Sequence, residues 1–156
     1  MTSPRPLPSP ETPLTGTCRC GAVTLTVTAP PIMTAACHCT GCQSMSASAF
    51  SLTMMVPLGA LEVDGETTLG GARSPDLDHH CCPACHGWLY SRPAGMPFIN
   101  IRPTLFDDPR WADPFIETMG AERQPWATTP APHSYEGFPP PEDFPALLEA
   151  FAATRL

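Results

Sequence analysis

Across residues 22–28 the apolar side chains Val23, Leu25 and Val27 alternate with Thr24, Thr26 and Thr28, the period of two that a strand with one buried face produces. Pro30 and Pro31 stop it. Over residues 47–56, Phe50, Leu52, Met54 and Val56 again fall on one face, and residues 61–63 read as a shorter strand ended by Asp64 and Gly65. Residues 88–91, 98–102 and 115–119 have similar character. Many short strands separated by Gly, Pro and Asp clusters predict a mainly β protein, a sandwich or a small barrel-like pair of sheets, rather than an α/β fold.

The pattern changes at the C-terminus. Phe144, Leu147, Leu148 and Phe151 recur at i, i+3, i+4 and i+7, which places them on one stripe of a helix packed against the sheets. Pro145 fits its first turn. At the other end, Pro4, Pro6, Pro8, Pro10 and Pro13 mark residues 1–13 as a disordered, proline-rich tail with little to bury. Residues 14–156 are then expected to form a single domain.

Composition agrees with a loop-rich β protein. Of 156 residues 22 are proline, and only 15% are charged, below the roughly 25% usual in soluble domains. The net charge of −7 and the absence of any basic run remove the electrostatic footprint of a nucleic-acid binder. All eight basic residues are arginine, so Schiff-base chemistry on a lysine is closed off. Neither a membrane span nor a signal peptide is legible, and a cytoplasmic location is expected. Oligomeric state is not readable from the sequence.

In a reducing compartment eight cysteines point to metal ligands or reactive thiols more than to disulfides. They fall in three clusters: Cys18 and Cys20; Cys37, Cys39 and Cys42; and Cys81, Cys82 and Cys85. Two cysteines on one tight turn supply two corners of a zinc tetrahedron, so two turns must meet to complete it. Pairing Cys18 and Cys20 with Cys82 and Cys85 gives a closed four-thiolate site. Cys37, Cys39 and Cys42 then form a second, three-thiolate zinc site with a vacant position, the arrangement that separates catalytic from structural zinc. Spacing leaves open whether a histidine completes that loop, or whether its thiols hold no metal at all.

The order and spacing of these residues resemble the glutathione-dependent formaldehyde-activating enzymes and the related centromere protein V-like proteins. The resemblance runs through Gly16-Thr17-Cys18-Arg19-Cys20-Gly21, Cys37-His38-Cys39-Thr40-Gly41-Cys42-Gln43, Ser48-Ala49-Phe50 and Cys82-Pro83-Ala84-Cys85, with Pro125-Trp126 following. It implies small antiparallel sheets folded as a zinc-bearing β-tent. It also implies Cys18, Cys20, Cys82 and Cys85 as structural zinc ligands, and Cys37, Cys39 and Cys42 as catalytic ones. The chain departs from that pattern where His86 replaces a glycine, Cys81 an aromatic residue, and Phe115-Ile116-Glu117 a His-Ile pair.

The expected activity is carbon–sulfur bond chemistry: a zinc-activated thiol, with glutathione as a co-substrate, adds to a small aldehyde or leaves its adduct. The competing expectation is a zinc-stabilised binding module without turnover. His38 and His86, next to proposed ligands, are the nearest candidates for proton transfer; His79 and His80 rank below them. Trp126 and Tyr135 offer pocket walls, with core packing as their default role. Arg92 and Arg102 offer forks for a carboxylate, with a solvated strand end as theirs. Cys81, adjacent to a ligand, is expected to point into the core as a small hydrophobe.

Overall fold

The computed structural model describes residues 7–154. Of the stretch expected to be a disordered tail, residues 1–6 lie outside the described residues; in the remainder Pro8 is buried, and Ser9 and Thr12 exchange backbone hydrogen bonds in a turn. Two sheets follow. The smaller joins β1 (Leu14–Thr17), β2 (Thr24–Val27) and β5 (Leu61–Asp64) in the antiparallel order β1-β2-β5. The threonine-alternating segment is its central strand, with Val23, Leu25 and Val27 buried.

The larger sheet has eight strands: β3 (Met33–Cys37), β4 (Ser51–Pro57), β6 (Thr68–Ser74), β7 (Leu77–Cys81), β8 (Trp88–Pro93), β9 (Phe98–Ile101), β10 (Ile116–Thr118) and β11 (His133–Ser134). Their order is β11-β10-β3-β4-β9-β8-β7-β6. Pairing is antiparallel except at one edge, where β10 runs parallel to both β3 and β11. The fold is thus mainly β, built of small sheets with one helix at the C-terminus.

Each face of the large sheet has its own covering. Met54, Val56, Ile99, Ile101 and Tyr90 pack with Val23, Leu25 and Val27 of the small sheet in one core. On the opposite face Met33 and Met55 meet Phe115, Ile116 and the helix α2 (Phe144–Ala153), whose Leu147 and Phe151 are buried. Burying each such side chain contributes about 1.5–3 kcal/mol, which is why the apolar stripe read from the sequence docks here.

Several elements differ from the expectation. The strand expected over residues 47–56 begins at Ser51, because a short helix, α1 (Thr40–Ser46), precedes it and ends on Ala47 in a left-handed conformation (φ 50°). No residue of α1 is buried, so it shows no amphipathic stripe. β3 and the β6–β7 hairpin carry no clean alternation: β3 is buried on both faces, and β6 contains Gly70 and Gly71. At Gly71 (φ +67°) a Cβ would lie 2.5 Å from Met45 and 3.3 Å from His79, so glycine lets α1 close down on that end of the sheet.

Candidate metal centre

The loop between β1 and β2 is short and tightly bonded: the Cys18 N–H donates to Val23 O and the Gly21 N–H to Cys18 O, each at 2.9 Å. It aims Cys18 and Cys20 at the loop between β7 and β8, where the Cys82 N–H donates to Gly87 O and the His86 N–H to Cys82 O. One atom from each of Cys18, Cys20, Cys82 and Cys85 lies within 4.8 Å of the others. The Cys18–Cys20 and Cys20–Cys82 sulfur separations are 3.5 and 3.7 Å. A zinc tetrathiolate with Zn–S near 2.3 Å has edges of about 3.8 Å, so the donor set and its spacing fit zinc. Burial pushes the Cys18 thiol up, but hydrogen bonds from the Val23 N–H, Cys20 and Cys82 overcome this and hold it at about 6.

Cys37, Cys39 and Cys42 form the second group within the same limit. Cys37 ends β3, and Cys39 caps α1 by accepting from the Cys42 N–H at 3.2 Å. A thiol in the capping position and a second in the first turn bring two sulfurs to one helix start. The three are inequivalent. Hydrogen bonding from Cys42 holds Cys37 down at about 5 despite its burial. The same bond pushes Cys42 up, and burial pushes Cys39 up. Three soft donors on one short loop could hold zinc through three corners.

All eight cysteines are free thiols. Cys81 joins neither group; it is buried at the end of β7, and burial raises its thiol. His86 is exposed and takes a left-handed backbone (φ 57°), the conformation that glycine adopts without strain.

His38 is fully buried. Its Nε2 lies 3.2 Å from Glu117 Oε1, and its ring meets Phe50 edge-on at 5.4 Å. Glu117 stands opposite Ala36 in the β10–β3 register while Thr118 stands opposite Cys37, so alternation puts the His38–Glu117 contact and the Cys37 sulfur on opposite faces. Burial raises the Glu117 carboxyl, but hydrogen bonds from Thr129, His38 and Ser134 and the charge of Arg123 outweigh it and hold it below its usual range. Arg123 binds the second carboxylate oxygen, together with Ser134. The segment Phe115-Ile116-Glu117 therefore anchors the three-cysteine loop from behind.

The arginines separate. Arg92 is exposed and lines a pocket of about 430 Å³ with Leu58, Asp78 and Met96. No cysteine borders that pocket, so it lies apart from the sulfur chemistry. Arg102, expected at a solvated strand end, is instead 7% exposed. Its guanidinium carbon sits 4.0 Å from the centre of the Trp88 ring. The Arg102 N–H donates to Leu89 O and folds the chain inward just past β9. Trp126 is corrected in the other direction: it is 73% exposed, in a turn, and packs in no core. Tyr135 is half-buried against the helix-side core. His79 is buried with Nδ1 2.8 Å from Ser91 Oγ, and His80 stacks on Tyr90.

The chain is mainly β and gathers seven cysteines into a set of four and a set of three, either of which could hold zinc. The chain belongs to the glutathione-dependent formaldehyde-activating enzyme family, whose model matches residues 13–121. None of the curated proteins matches the chain. Its fold is similar to that of a Rhodobacter sphaeroides protein of known crystal structure, at a TM-score of 0.51 and 19% identity, over 61% of this chain and 89% of that one. Among the described residues no helix is long and apolar enough to cross a membrane.

Proposed function

We propose that this protein is a zinc-dependent enzyme of carbon–sulfur bond chemistry, which forms or cleaves the adduct of a thiol such as glutathione with a small aldehyde. The observation that carries this is the unequal division of the cysteines, four in one group and three in the other. Cys18, Cys20, Cys82 and Cys85 would hold a structural zinc, and Cys37, Cys39 and Cys42 a second one. Bound by three thiolates, zinc would supply a position where an incoming thiol loses its proton at neutral pH.

The chain's own residues do the rest. Cys39 as helix cap and Cys37 as strand end fix the three sulfurs to the large sheet, and the His38–Glu117–Arg123 network holds the intervening residue away from them. In the forward direction the thiolate sulfur bonds to the aldehyde carbon, the carbonyl electron pair moves to oxygen, and that oxygen takes a proton; cleavage is the reverse. In this reading His38 supports the loop. His86, exposed on the loop of the four-cysteine group, belongs to the scaffold.

The test is the exchange rate between glutathione, formaldehyde and their hemithioacetal, followed by NMR with and without the protein. The expected result is an accelerated exchange that Cys39→Ser abolishes while the fold persists. An unchanged rate with a protein carrying both metals removes the enzyme reading in favour of a zinc-stabilised binding module.

A further inference from the structure

Among the described residues Arg102 is the one buried arginine, and the function above leaves it unused. Ile101 stands opposite Met54, so Arg102 comes level with Thr53, and Ser51 stands opposite Cys37. Alternation then sets Cys37, Ser51, Thr53 and Arg102 on one face of the sheet, opposite to that of Met54 and Ile101. The Ser51 Oγ on this face is buried and has no protein hydrogen-bond partner. The guanidinium is stacked on Trp88, and Nη2 reaches Asn100 O at 3.4 Å, while Nε and Nη1 have no protein hydrogen-bond partner.

A buried guanidinium without a counter-ion is costly. Among the described residues no carboxylate forms an ion pair with it. The charges that act on it favourably are the sulfurs of Cys42 and Cys37; burial lowers it to about 10. Trp88 supplies a π face that tolerates a desolvated cation, and is itself fixed by its Nε1–H donating to Ser91 Oγ at 3.0 Å.

The geometry points to Arg102 as the fixed counter-charge of the three-cysteine centre, the residue that lets this centre carry an anionic fourth ligand, a thiolate, in place of a neutral one. Three thiolates around a divalent ion leave a net charge of −1, and a thiolate in the fourth position makes it −2; a buried guanidinium on the same face offsets one of these charges. Arg102 is thus a positioning residue. The thiolate half of this inference rests on the function proposed above, whereas the counter-charge half does not.

The test uses the full chain loaded with cobalt(II), whose sulfur-to-metal absorption reports both centres. In Arg102→Met the metal at Cys37, Cys39 and Cys42 should be lost to a chelator at a concentration at least about tenfold lower than in the wild type, with the four-cysteine metal unchanged. Arg102→Lys should recover most of that affinity. Arg102→Gln provides a second neutral variant should the methionine protein not fold. Titration with glutathione should perturb the three-cysteine spectrum in the wild type and in Arg102→Lys, and at least about tenfold more weakly in the neutral variants. Equal metal retention in wild type and neutral variants overturns the counter-charge. Weakened metal binding in the neutral variants, with no glutathione response in the wild type, keeps the counter-charge and overturns both the thiolate half and the function proposed above. A glutathione response undiminished in the neutral variants overturns the thiolate half alone.

Discussion

Cys20 and Cys82 stand 62 positions apart in the chain, and their sulfurs lie 3.7 Å apart. Cys20 belongs to a turn of the small sheet and Cys82 to a turn of the large one, so a metal between them is a tie across the two layers. Metal affinity at such a site is folding free energy. Cys82→Ser should therefore release zinc and lower the melting temperature by on the order of 10 °C or more, whereas Cys81→Ser should keep the full metal content. Zinc analysis and thermal denaturation of both variants check this; a Cys82→Ser protein with unchanged metal and melting temperature refutes it.

The two metals should leave in order. Cys37, Cys39 and Cys42 come from one short loop and close no long one, so their metal adds less to stability than the four-cysteine tie. Under a graded chelator one equivalent should depart first, with the far-ultraviolet circular dichroism unchanged, and the second should depart with unfolding. Simultaneous loss of both would contradict the assignment.

Glu117 should matter to stability in a pH-dependent way. Its folded carboxyl is held below the ordinary value of 4.5, so its contribution is complete above that value and disappears as the pH falls through the lower, folded value. Glu117→Gln leaves Arg123 without its charge partner at a site where the carboxylate is buried and Arg123 is 30% exposed. At pH 7 the loss should be about 2–3 kcal/mol, the low side of what breaking a buried pair costs. The gap between wild type and variant in urea denaturation should narrow below pH 4.5; a gap that is constant with pH excludes this role.

His86→Gly should stabilise the protein. The left-handed backbone at His86 (φ 57°) costs a non-glycine residue about 1 kcal/mol, so relief should raise the melting temperature by roughly 2–4 °C. Metal content and adduct exchange should not change. A variant that loses exchange activity while retaining both metals would return His86 to the chemistry.

The alternation of threonine and valine specified β2 from the sequence alone, as the i, i+3, i+4, i+7 stripe specified α2, because in each case one face is buried and the other is wet. The two cysteine groups were legible for a different reason: a zinc tetrahedron would need pairs of thiols on tight turns, and such pairs are close in sequence as well as in space. What tertiary structure alone decided is what lies beside those ligands. β3 and β6 lack a readable period, since burial on two faces and paired glycines erase it. Arg102 reads as a surface arginine until β9 is laid against β4 and Trp88 is brought beneath it. The His38–Glu117 contact joins residues 79 positions apart. A strand register sets such meetings, and register is a property of the assembled sheet that no local window of sequence contains.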